Sequence, residues 1–337
     1  MKLQKHITLA LLLSFVVGFS ACDDDAALDE ATRRSQWHQQ ELIEALTSQP
    51  YGWKVTYFSN TDSLLFSDLN RNIREYDYDP VDMGYGGHFY MMKFDKNGMV
   101  TMYGDESPET CTTPRLSEYM VKQGMMSQLS FTTYTYLHYL VNGQFKGASD
   151  FYYKGKDIDS LDIFCTGNYA EPAREYVLFE PIRHAEDTQI MERAYENRVA
   201  LENMSNPQIT ISQGDRIFFQ SDYFIKTPDR SAGMKKQRYS VFLYEKVENP
   251  TGDYPKEVNG LGSGYVGTDV GLMFYPGIRL NSKFNFRDFE RVGDKFRCEM
   301  VRVFSPELKK FYYGSKHRHP DGEYTGMVAE ISNVPRN

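Results

Sequence analysis

The sequence is poor in the features that announce a mechanism. Its 337 residues hold two Trp, four Cys and seven His. Four cysteines in a chain of this length exclude a small disulfide-stapled scaffold. There is no H-E-x-x-H and no G-x-S-x-G, so the metalloprotease and serine-hydrolase signatures are missing. Beyond His6, no two histidines stand four apart. Positive charge is also short. A formal net charge of -8 repels phosphate and argues against a nucleic-acid partner. Only one long apolar run exists, at the N-terminus, which excludes a polytopic helical membrane protein. What the chain has in quantity is aromatic bulk, with 25 Tyr and 22 Phe. That composition excludes a disordered chain.

The apolar run carries an address. Lys2, Lys5 and His6 precede Ile7 to Phe19, which is too short to span a bilayer as a helix. Phe19-Ser20-Ala21-Cys22 then follows. Ordinary signal cleavage needs a small residue where Phe19 stands. The lipoprotein pathway wants a bulky apolar residue there, two small ones and then Cys. The reading is a signal peptide over residues 1–21, with Cys22 as the lipidated first mature residue. Acyl chains at about 0.8 kcal/mol per buried CH₂ would anchor it to a membrane. Asp23, Asp24 and Asp25 form an acidic run similar to the surface-export signal of Bacteroides-type lipoproteins. A solvated acidic tether, held extended by charge repulsion, is the plainer reading of the same residues. The expected location is the outer membrane, lipid-anchored and facing the exterior.

After a tether at 22–29, the pattern predicts a helix from Glu30 to Thr47, with Asp29 as its N-cap and Trp37, Leu42 and Leu46 on one face. Trp53, Val55 and Tyr57 alternate with polar neighbours as a strand does. Two apolar runs flank Asp95-Lys96-Asn97-Gly98, a strong hairpin cue. Further strands are expected at Phe131–Leu140, Asp150–Tyr153, Leu161–Thr166 and Tyr176–Phe179. A second helix is expected from Asp187 to Met204, then strands to the C-terminus. The fold class expected is α+β: mainly antiparallel β-sheet, an N-terminal helix and a second helix near the chain middle. The simplest division is an N-terminal α+β domain at 30–185 and a C-terminal one at 186–337. Cys165 and Cys298 read as small buried hydrophobes and Cys111 as a residue of an exposed loop.

The blocks Tyr51-Gly52-Trp53-Lys54-Val55-Thr56-Tyr57-Phe58, Met92 to Tyr103, Phe131 to Leu140 and Ser149-Asp150-Phe151, in that order, resemble a family of Bacteroides-type surface lipoproteins catalogued as domain of unknown function 4302. The resemblance is good from residue 22 to about 180 and looser beyond. It brings no catalytic residues. It implies an accessory or ligand-binding role beside a starch-utilisation-type outer-membrane transporter, with a glycan or peptide ligand.

Several segments are candidate sites. Glu75 to Asp82, then Tyr85 to His88, interleave rings and carboxylates. Tyr76, Tyr78, Tyr85 and His88 could present sugar-packing surfaces on a mobile loop. A solvated loop is the commoner outcome for such a segment. His317 and His319 would share a face on a strand, with Asp321 and Glu323 as added metal ligands, although His319-Pro320-Asp321-Gly322 also reads as an exposed turn. Asp68 to Asp79 imitates a calcium loop, but Ile73 stands where Gly is needed. Gly262-Ser263-Gly264-Tyr265-Val266-Gly267 matches a dinucleotide fingerprint by letter and reads instead as a flexible loop. No cofactor is implied. The leading reading is a surface binding or accessory lipoprotein. The alternatives are a carboxylate- or metal-dependent hydrolase and an adhesin or structural surface protein.

Overall fold

The computed structural model describes residues 24–59, 72–73, 86–141, 147–157, 161–166, 176–184, 189–227, 240–245 and 258–334. The first helix, α1, runs from Asp24 to Thr47, six residues longer at its start than expected. The acidic stretch from Asp24 onward is therefore its first turns, where carboxylates suit the helix dipole. Leu42 and Leu46 are the buried face. Trp37 does not join them and is 62% exposed. The indole N–H of Trp53 donates to the Leu46 carbonyl at 2.9 Å and fixes the end of α1 to the first strand.

Eight strands follow in sequence: β1 (Trp53–Phe58), β3 (Gly87–Phe94), β4 (Met99–Gly104), β5 (Arg115–Gln123), β6 (Ser127–Phe131), β7 (Asp150–Lys156), β8 (Asp162–Thr166) and β9 (Tyr176–Pro181). Each pairs antiparallel with the next, and β9 returns to β1, giving a closed up-and-down barrel. A two-residue strand, β2 (Asn72–Ile73), stands outside this ring. The short helix α2 (Pro108–Thr112) lies between β4 and β5.

The second half repeats the plan. Helix α3 (Ile190–Glu202) precedes β10 (Pro207–Gln213), β11 (Arg216–Thr227), β12 (Ser240–Glu245), β13 (Val258–Gly267), β14 (Gly271–Arg279), β15 (Asn285–Val292), β16 (Lys295–Ser305), β17 (Lys310–Ser315) and β18 (Glu323–Asn333). Leaving out β17, each strand pairs with the next, and β18 returns to β10. The expected helix-then-strands repeat is thus two helix-plus-barrel halves. All pairings in both are antiparallel, as expected.

Alternation explains the cores. β5 sends Ser117, Tyr119 and Val121 inward and Leu116, Glu118, Met120 and Lys122 outward. The first interior is filled by rings, with Tyr57 on Phe151 at 5.4 Å and Phe164 on Phe179 at 4.5 Å. The second is filled by residues such as Phe219, Phe274, Phe286 and Phe296. Apolar inside and charged outside is the reverse of the pattern a bilayer-spanning barrel needs. No helix among the described residues is long and apolar enough to cross a membrane.

Three local expectations need correction. Phe131–Leu140 is not one strand: β6 ends at Phe131, and a 3-10 turn covers Tyr136–Tyr139. Thr135 caps that turn, its hydroxyl accepting from the Leu137 N–H at 3.1 Å, which ends the extended chain. Cys111 is buried on α2. Gly262 to Gly267 is no loop but the end of β13. Its glycines serve packing. A Cβ on Gly267 would overlap the Ala194 carbonyl of α3, and one on Gly264 would lie 3.0 Å from the Gly86 Cα. At the Asp95–Gly98 turn, only Gly98 takes a positive φ (79°), and Asp95 accepts from the Asn97 and Met99 N–H groups.

Candidate functional site between the two barrels

A third apolar cluster joins the halves. Phe58, Phe89 and Leu178 from the first barrel meet Ile190, Met191 and Ala194 of α3, with Val266 and Met273 of the second barrel. Beside it lies a narrow cleft that encloses about 20 Å³, room for a water molecule, and opens to solvent. Lys54 and Thr56 of β1, Phe89 of β3 and Glu180 of β9 line one wall; Thr268, Asp269, Asp288, Phe289, His317 and Arg318 line the other.

The charges here form a chain. Lys54 Nζ lies 2.8 Å from Asp269 and 3.6 Å from Glu180. Arg318 lies 3.2 Å from Glu180 and 2.9 Å from Asp288. Each link from Lys54 to Asp269 or from Glu180 to Arg318 crosses between barrels. These side chains are 7–31% exposed, so they are worth more than surface pairs while remaining open to a solute. β-Strand alternation puts them there: Trp53, Val55 and Tyr57 point into the barrel, so Lys54 and Thr56 point out. α3 braces the same wall, with Asn197 donating to the Thr268 carbonyl at 2.8 Å.

Deeper at the interface sits a second ionic group. Arg198 of α3 is 2% exposed and Asp105, just after β4, is 1% exposed. Arg198 Nε is 3.9 Å from the Asp105 carboxylate, and its Nη1 is 3.5 Å from Glu202. Arg198 also donates to the Asp105 carbonyl. Burial raises the Asp105 pKa to about 6, with Arg198 opposing. Burial and the Asp105 charge raise Glu106 to about 7. Burial pushes the Cys111 thiol up to about 12. Carboxyls raised to this range are suited to acid–base work. Asp105, however, is sealed under α3, which makes this group a lock between the halves rather than a place for substrate.

His88 was expected on an open loop. It lies on β3, buried, on the same alternating face as Tyr90 and Met92. Burial, with Arg198 nearby, lowers its pKa to about 3, so it is neutral across the physiological range. Its partners in that reading, Tyr76, Tyr78 and Tyr85, lie outside the described residues, as do Cys22 and Asp23. Asp24 and Asp25 fall in α1. Most of the calcium-like segment is likewise outside, and its Asn72–Ile73 pair with β13.

His317 and His319 fall on a turn, the second of the two readings offered for them, and not on a strand. His317 turns to Glu290 at 3.4 Å, while His319 packs edge-on against Tyr312. Asp321 lies on the same turn. Among the described residues, no group of three or more His, Cys, Asp or Glu is arranged to hold a metal ion.

Sequence reasoning missed Lys54, Glu180, Asp269, Asp288 and Arg318 because no motif spans them: Lys54 and Asp269 stand 215 residues apart. The signal at Lys54 was its outward place in an alternating strand. A family model described as a domain of unknown function, DUF4302, matches residues 23–293. That span covers the first barrel and reaches β15 of the second, further than the motif resemblance suggested. No curated protein and no solved structure matches the chain.

Proposed function

The chain belongs to the DUF4302 family, and on that premise we propose that it is a surface-exposed, lipid-anchored outer-membrane protein that binds a polar solute, a glycan or a peptide, as an accessory part of a nutrient uptake system. The run Phe19-Ser20-Ala21-Cys22-Asp23-Asp24-Asp25 supports the anchor and the exposure. The observation that carries the binding role is the inter-barrel cleft. Its wall alternates carboxylates with Lys54 and Arg318, a set of acceptors and donors matched to hydroxyl or amide groups. The barrel interiors are filled with side chains, which leaves the outer surfaces for a ligand.

The test is a screen of the chain from Asp23 onward against glycan and peptide arrays, followed by calorimetry on each hit. The expected result is a hit whose affinity falls about tenfold or more in Lys54→Met and in Arg318→Met, the loss of one charged hydrogen bond each. A hit unaffected by both substitutions, or arrays without any hit, would count against the cleft.

A further inference from the structure

The β16–β17 hairpin is built unlike the rest of its barrel. β18 begins at Glu323, opposite Arg302, so Val303, Phe304 and Ser305 are paired with β17 and extend past the start of β18. At 3.3 Å per residue the hairpin stands about 10 Å beyond that point. Its end is apolar and open. Phe304 faces Phe311 across the hairpin, ring centroids 5.2 Å apart, and they are 51% and 54% exposed; Leu308 in the turn is 52% exposed. Stable folds seldom gather three large apolar side chains at a projecting tip without an apolar partner.

Cations flank these side chains. Lys309 stands in the turn beside Leu308, Lys310 opens β17, and Glu307 precedes them. Arg302, two residues before Phe304, lays its guanidinium over the Phe311 ring at 4.5 Å and pairs with Glu323 at 2.6 Å. Tyr324, opposite Val301, is 57% exposed, with Lys316 6.0 Å from its ring. Cations thus surround the exposed rings, Lys309 and Lys310 at the tip and Arg302 and Lys316 behind it with Tyr324, a mixture of apolar, basic and aromatic side chains that suits a lipid interface. At the tip two lysines outnumber Glu307, which favours an anionic partner surface.

We infer that the β16–β17 hairpin docks on a lipid surface, with Phe304, Leu308 and Phe311 entering the acyl boundary and Lys309 and Lys310 meeting anionic headgroups. This goes beyond the proposed binding role and needs no lipid on Cys22, so the two can fail separately.

The test is co-sedimentation of the chain from Asp23 onward, which retains every described residue, with vesicles of equimolar phosphatidylcholine and phosphatidylglycerol. The wild type is expected to sediment, less so as salt rises. The double variant Phe304→Ser/Phe311→Ser should lose about tenfold or more in partitioning. Lys309→Glu and Lys310→Glu should each lose about fivefold or more, and only on anionic vesicles. All four positions are exposed, and circular dichroism should be unchanged. Wild type that stays in the supernatant, or binding indifferent to these substitutions, would overturn the inference. So would a dimer in solution that Phe311→Ser dissolves, since a second copy would then be what covers the tip.

Discussion

The interface lock makes a specific claim about acid. His88 and Asp105 both feel the charge of Arg198, and burial moves their pKa values in opposite directions. The native His88 takes up a proton only near pH 3, whereas the unfolded residue does so near 6.5. Its contribution is therefore present above pH 6.5 and is lost as pH falls toward 3. Native Asp105 takes up its proton near pH 6 and the unfolded residue near 3.8. Its contribution runs the other way: present below 3.8 and lost as pH rises through 6. One unit of pKa difference is about 1.4 kcal/mol. Acidifying from neutral to the middle of the carboxylate range thus costs about 3 kcal/mol through His88 and returns about 2 kcal/mol through Asp105. Glu106, raised to about 7 partly by the Asp105 charge, returns about 3 kcal/mol more. The wild type should therefore gain about 2 kcal/mol over that window. His88→Gln removes the cost, so its gain should be larger by about 3 kcal/mol. Asp105→Asn loses its own return and part of that of Glu106, so its gain should be smaller by about 2 kcal/mol or more. Urea unfolding followed by tryptophan fluorescence reads this, because Trp53 is buried in the first barrel and the other tryptophan, Trp37, is exposed. If the pH profiles of wild type and His88→Gln run parallel, the assignment of His88 as a buried neutral base is wrong.

Other expectations follow from the same contacts. Arg198→Ala leaves Asp105 and Glu202 without their guanidinium and should cost about 3–5 kcal/mol in the same unfolding assay, with Lys a poor substitute. Gly267→Ala places a methyl group against the α3 backbone and should cost about 1–3 kcal/mol or shift α3, visible as faster amide exchange in Ile190–Glu202. Cys111 and Cys298 are both buried thiols with raised pKa, so mass mapping after thiol labelling should find them unmodified in the native chain and modified in urea.

What the sequence made legible was period and punctuation. Trp53-Lys54-Val55 and the Asn97-Gly98 turn announce strands through alternation and turn chemistry, and Pro207 marks where α3 must already have ended. Closure of each sheet was not legible, because pairing of β9 with β1 depends on contacts more than a hundred residues apart. β13 was misread because Gly262, Gly264 and Gly267 look like loop residues. Gly264 and Gly267 are glycine because α3, Gly86 and Phe58 press on that strand. The His317-Arg318-His319 segment drew attention to its histidines, whereas the structure uses Arg318, whose carboxylate partners Glu180 and Asp288 come from the opposite barrel and from β15. A charged residue that joins two halves carries no local signature.

The placement of the whole molecule turns on residue 22. Intact-mass and fragment analysis of the protein from its native membrane should find a mature N-terminus at Cys22 carrying a diacylglyceryl thioether and an acylated amine. A free thiol at that position, or a mature chain beginning elsewhere, would contradict it.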